Sequence, residues 1–99
     1  MNEANDIDAI AYRLSVLCHD TAGDPGLYRT YAVLALTVGA DVTREQVHDA
    51  WSSWRSASQP NHRSLVPFDQ LPAEAQVLDD PHVKAIRDVA LNVAKKETA

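Results

Sequence analysis

Near the start of the chain Ile7, Ile10, Ala11, Leu14, Leu17 and Cys18 recur at intervals of three and four, the spacing that collects side chains on one face of an α-helix. Asp6 stands just ahead of most of them, where a short carboxylate accepts from the amides that open a helix. A polar stretch, Asp20-Thr21-Ala22-Gly23-Asp24, breaks the pattern, and Asp24-Pro25 restarts it. There the aspartate caps, and proline takes the first helical position, where its missing N–H is harmless. Leu27, Tyr28, Tyr31, Leu34, Ala35 and Val38 then form an inward stripe, which Gly39 ends by accepting a left-handed backbone. Thr43-Arg44-Glu45-Gln46 fits a capping box, and Val42 and Val47 occupy the two positions of a hydrophobic staple, so the start of a third helix is specified twice. Val47, Ala50, Trp51 and Trp54 mark its buried face, and the pattern fades into the polar run Ser56-Ala57-Ser58-Gln59-Pro60-Asn61.

Leu65-Val66-Pro67-Phe68 reads as an extended strap laid across the bundle, because a proline pushes the residue before it out of the helical region. A short helix is expected from Pro72 to Leu78. Asp80-Pro81 repeats the cap-plus-proline device, and Val83, Ile86, Val89, Ala90 and Val93 stripe a last helix. The pattern therefore predicts an all-α fold, a small single-domain helical bundle of about four main helices with one strap. A chain of 99 residues has room for one core. That domain, 1–99, divides into an N-terminal helical pair over 1–41, a second segment over 42–94 and a polar, frayed tail over 95–99.

A net charge of −5 withholds the general attraction to phosphate behind most nucleic-acid binding, so no nucleic-acid polymer is expected as partner. Cys18 is the single cysteine, which points to a reducing cytoplasm and an inert thiol on an apolar stripe. Met1-Asn2-Glu3-Ala4-Asn5-Asp6 lacks the cationic start of a leader, and no apolar run approaches the length of a bilayer span, so no membrane is expected.

The residues that carry chemistry cluster on the third helix. With about 100° between successive residues, His48 and Arg55 fall beside each other at one edge of the face centred on Val47 and Trp51, with Trp51 between them. An indole flanked by imidazole and guanidinium suits a base and a phosphate, the ring stacking and the arginine donating a forked pair of hydrogen bonds. Plainer assignments stand beside this one. Trp51 fills core, Arg55 pairs with Asp69 or Asp79, and His48 bonds a backbone carbonyl. The histidines at 48, 62 and 82, with Cys18 and His19, lack zinc-like spacing. Three glycines provide no phosphate loop, and no nucleophile elbow surrounds the serines. No metal, no cofactor and no enzymatic activity are expected.

The order Val47-His48-x-x-Trp51-x-x-x-Arg55, then His62-x-x-Leu65-Val66-Pro67-Phe68-x-x-Leu71-Pro72-x-Glu74 and Gln76-x-x-Asp79, resembles the RyR domain, the repeat of ryanodine receptors, in the compact stand-alone version of phages and bacteria. That resemblance makes 42–94 the RyR-like segment and implies a nucleotide-derived ligand. It adds His62, with Arg63 beside it, and Phe68 to the candidate site of His48, Trp51 and Arg55. Six residues link Arg55 to His62, where the family has a longer aromatic segment. The expected function is a small non-enzymatic binding protein, phage-encoded in type and cytoplasmic in the host cell, that recognises or sequesters a nucleotide-type molecule. The alternative is a protein-protein interaction module acting on a host protein. Homo-oligomerisation is open in either case.

Overall fold

The computed structural model describes residues 6–98, with side chains through Val93. Four long helices, α1 (Asp6–Leu17), α2 (Pro25–Thr37), α3 (Arg44–Ser58) and α5 (Asp80–Thr98), are joined by short connections, with α4 (Ala73–Gln76) a single turn. Short 3-10 turns at Gly39–Asp41, Phe68–Gln70 and Val77–Asp79 complete the element order, and no strand occurs among the described residues. The all-α expectation holds.

Packing follows the apolar stripes. α1 and α2 form a hairpin, α5 lies against both, and α3 packs on α2 and α5. Leu14 of α1, Tyr31 of α2 and Ile86 and Val89 of α5 are each at most 2 % exposed and meet in one core. The helix starts are local chemistry. The Asp24 carboxylate accepts from the Gly26 amide at 2.7 Å with Pro25 in the first turn, as the sequence suggests. Thr43 Oγ1 accepts from the Gln46 amide at 3.2 Å while Gln46 Oε1 accepts from the Thr43 amide at 3.0 Å. Val42 and Val47, the staple, are both fully buried. Replacing Thr43 with Ala is expected to cost about 1 kcal/mol in a denaturant titration, the usual loss for a cap of this kind. Gly39 adopts a φ of 79°, the left-handed turn that leads out of α2.

Several expectations need correction. Asp80 does not cap α5, because the Val77–Asp79 turn feeds the backbone into that helix already wound, and the Asp80 carboxylate instead receives Arg44, whose Nη2 lies 2.8 Å from its Oδ2. Asp6 is the first described residue and lies inside α1, so its expected cap position adjoins residues outside the described range. Helical backbone is described to Thr98. The strap is extended at Pro67, but the Leu65 amide closes a turn on the His62 carbonyl, Val66 bends and Phe68 opens a 3-10 turn. Gln76 Nε2 ties this turn to α4 by donating to the carbonyls of Phe68 and Leu71, both at 3.1 Å. Arg87 fixes α5 to the entry of α3, donating from Nε and Nη2 to the Val42 carbonyl at 3.0 and 2.7 Å.

Candidate functional site

α3 is buried at its start and runs out past the core toward its end. Val47 and His48 are its buried residues, whereas Trp51, Trp54 and Arg55 are half-buried. Both tryptophans were expected in the interior. Periodicity places them on the side of Val47 and Ala50, yet neither is fully buried, and the Trp54 indole lies beside Gly26 at the start of α2.

His48 is the anchor of the strap. Its ring is 4 % exposed and its Nε2 lies 2.7 Å from the Val66 carbonyl, which only accepts, so Nε2 carries the proton and donates. Its ring stacks against Trp51 at 5.7 Å between centroids and touches Phe68 at 6.0 Å. His62 meets Trp51 edge-on at 5.1 Å, and its Nδ1 accepts from the Ser64 amide at 3.1 Å, which sets the turn that leads into the strap. Both histidines thus have their hydrogen bonds in the fold. For His48 this is the plainer assignment, a bond to a backbone carbonyl.

Arg55 is different. Its guanidinium carbon sits 4.3 Å from the Trp54 ring centroid and 5.9 Å from that of Trp51, within cation–π range. Neither Asp69 nor Asp79 pairs with it, and no ion pair to it occurs among the described residues. Its Nε is enclosed and meets no acceptor there. The position in the last turn of α3 lets the positive charge complement the helix dipole, which accounts for the charge but not for the Nε. His48, Trp51, Arg55, His62 and Phe68 are therefore brought into one aromatic cluster. Arg63 is not. It is exposed and lines a separate groove of about 580 Å³ with Glu74 and Leu78, between the strap and α4. Phe68 also reaches the rim of a groove of about 530 Å³ that includes Thr43, Arg44 and Asp80.

A model of DUF7701, described as a domain of unknown function, matches residues 4–91. The chain belongs to this family. None of the curated proteins and none of the solved structures compared with it matches. The DUF7701 match overturns the RyR resemblance, since no RyR-domain model matches. The structure gives the physical reason. His48, Trp51, His62, Val66, Phe68 and Gln76 are the residues that hold a strap against a helix, and that task recurs wherever such a strap exists. The six-residue link from Arg55 to His62 was the visible sign of a different domain. The phage assignment loses its basis with the resemblance.

Elsewhere in the DUF7701 fold, a polar cluster that spacing alone did not reveal lies between α2 and α5. The Tyr28 hydroxyl donates to Asp20 Oδ2 at 2.9 Å, and the His82 ring packs on Tyr31 at 5.2 Å and on Tyr28 at 6.4 Å. His82 Nδ1 is enclosed without a partner among the described residues. Burial pushes His82 below its ordinary value of 6.5, opposed by Asp79 and Asp20, and burial pushes Asp79 above 3.8, opposed by His48 and His82. The one sequence signal was His82 just inside α5, one position before the core residue Val83. No three His, Cys, Asp or Glu among the described residues are grouped to hold a metal ion. No described helix is long and apolar enough to cross a membrane.

The two shifts have opposite consequences. For His82 the unfolded chain binds the proton first, so its contribution is present above 6.5 and is lost as pH falls through that value toward the lower folded one. For Asp79 the folded chain holds the proton longer, so its contribution is full below 3.8 and is lost as pH rises through the higher folded value. Thermal midpoints of the wild type are expected to fall as pH drops below 6.5, and His82→Gln should flatten that decline. An equal decline in both proteins would remove His82 as its cause.

Proposed function

We propose that this chain is a non-enzymatic protein-interaction module that seats a carboxylate of a partner protein on Arg55. The observation that carries the reading is the state of that side chain, a half-buried guanidinium over Trp54 with no acidic partner among the described residues. A carboxylate offers two acceptors in the geometry that the planar fork matches. Tryptophan and arginine are also the residue types that dominate binding energy at the centre of protein contacts. The aromatic rings already have neighbours, His48 against Trp51 and Arg55 over Trp54. This leaves less free π-surface for a base and favours a docked side chain over a stacked nucleotide. A reducing, cytoplasmic setting is in keeping with the single cysteine, Cys18, whose thiol burial pushes up and so keeps protonated.

A nucleotide-type ligand is the second reading, because phosphate oxygens would satisfy Arg55 equally well. Trp51 and Trp54 are the only tryptophans, so intrinsic fluorescence reports on this surface alone. Short peptides carrying Asp or Glu beside an apolar residue should shift the indole emission saturably, and their Asn or Gln counterparts should not. Arg55→Ala should weaken that binding by about tenfold or more, the effect of losing a charge-assisted hydrogen bond. A response only to mononucleotides, dinucleotides, cyclic oligonucleotides or ADP-ribose derivatives would transfer the site to the second reading. No response to either set would leave Arg55 as a helix-end charge and end the proposal.

A further inference from the structure

α1 carries two apolar faces, and the core uses one of them. Its inward face, Ile10, Ala11 and Leu14, is buried, while a second stripe through Ala9, Tyr12 and Val16 looks outward. Tyr12 is 67 % exposed, and on α2 Leu36 is 46 % exposed. These side chains, with Val89 and Val93 of α5, line a groove of about 650 Å³ formed by α1, α2 and α5. A single small domain with one core gives no reason for such a face.

Its two charged residues suggest the occupant. Asp6 and Arg13 line the same groove, one toward each end of the α1 stripe, with Ala9 between them. Both are exposed, and neither has an ion-pair partner among the described residues. Asp6, Ala9, Arg13 and Val16 follow one another at steps of three, four and three, the spacing of a helix–helix seam. Seven residues separate the opposite charges, about two helical turns or roughly 10 Å along the axis. When two such helices pack antiparallel about a two-fold axis near Ala9, the aspartate of each faces the arginine of the other at both ends. The small Ala9 side chain lets the backbones approach there. The pattern is self-complementary, as an isologous contact requires.

We propose that the α1 face binds a second copy of this chain, making an antiparallel two-fold dimer. Tyr12 of each copy enters the groove of the other beside Leu36 and Val93, and two Asp6–Arg13 pairs set the register. This surface is built from elements other than α3, so the dimer stands independently of the carboxylate site at Arg55.

Sedimentation equilibrium of the full chain across a concentration series tests the proposal, with circular dichroism and thermal midpoint as controls on folding. The wild type should sediment as a dimer that weakens with added salt, because the pairs at the rim are screened. Arg13→Asp and Asp6→Arg, each placing like charges at both ends, should raise the dissociation constant by about tenfold or more while leaving the helical signal unchanged. Mixed together, the two variants should pair again, because one then presents two acids and the other two bases. Tyr12→Ala should weaken the wild-type dimer without restoring anything on mixing. A wild type that stays monomeric throughout the series overturns the proposal and leaves the groove to a different protein. So does a dimer that ignores the single reversals, or a mixture that fails to recover.

Discussion

Ile86→Ala is expected to lower the free energy of unfolding by about 2–5 kcal/mol, enough to remove a large fraction of the stability of a domain this small. Ile86 is 1 % exposed and lies in the core cluster shared by α1, α2 and α5. The loss combines the transfer energy of the deleted methylenes with the cavity they leave, and facing side chains on three helices cannot all relax into one hole. Equilibrium denaturation in urea measures it. A change under about 1 kcal/mol would place Ile86 outside the cooperative core.

His48→Ala is expected to have the next largest effect, about 2–4 kcal/mol, and for a different reason. The substitution empties a ring-sized space beside Trp51 and Phe68 and deprives the Val66 carbonyl of its donor at 2.7 Å. The strap should then come away from α3, so proteolysis between Arg63 and Leu71 should accelerate along with the fall in stability. His48→Gln, whose amide still donates, should recover part of both. Wild-type stability in His48→Ala would show that the strap does not depend on this bond.

The legible parts of the fold were those whose causes lie within a few residues. The capping box at Thr43 and the Asp24-Pro25 start of α2 are local, and both are present as expected. The same Asp-Pro signature at Asp80 misleads because its carboxylate is claimed by Arg44, which stands 36 positions earlier in the chain. Nothing within the Asp80 neighbourhood encodes that partner. Periodicity likewise fixed which side of α3 carries Trp51 and Trp54, but not where along the helix the core stops.

The site was legible as a group of residue types on one helical edge and illegible as a set of roles. His48 became structural through the carbonyl of Val66, on a strap whose path no spacing determines. Arg55, read as a ligand contact with Asp69 or Asp79 as the plainer alternative, lies over an indole and meets neither aspartate. The outward stripe of α1 escaped notice because Ala9, Tyr12 and Val16 interleave with the stronger inward stripe of Ile10, Ala11 and Leu14. The RyR resemblance rested on residues that pack the strap, and packing residues identify a local arrangement better than a family.

The proposal that Arg55 serves a partner and not the fold is tested most directly by pairing stability with binding in one variant. In Arg55→Ala the free protein should unfold within about 2 kcal/mol of the wild type, the upper worth of a partly desolvated cation–π contact. Its tryptophan response to acidic peptides should be lost. A fall in stability comparable to that of His48→Ala, or retained peptide binding, would contradict the account.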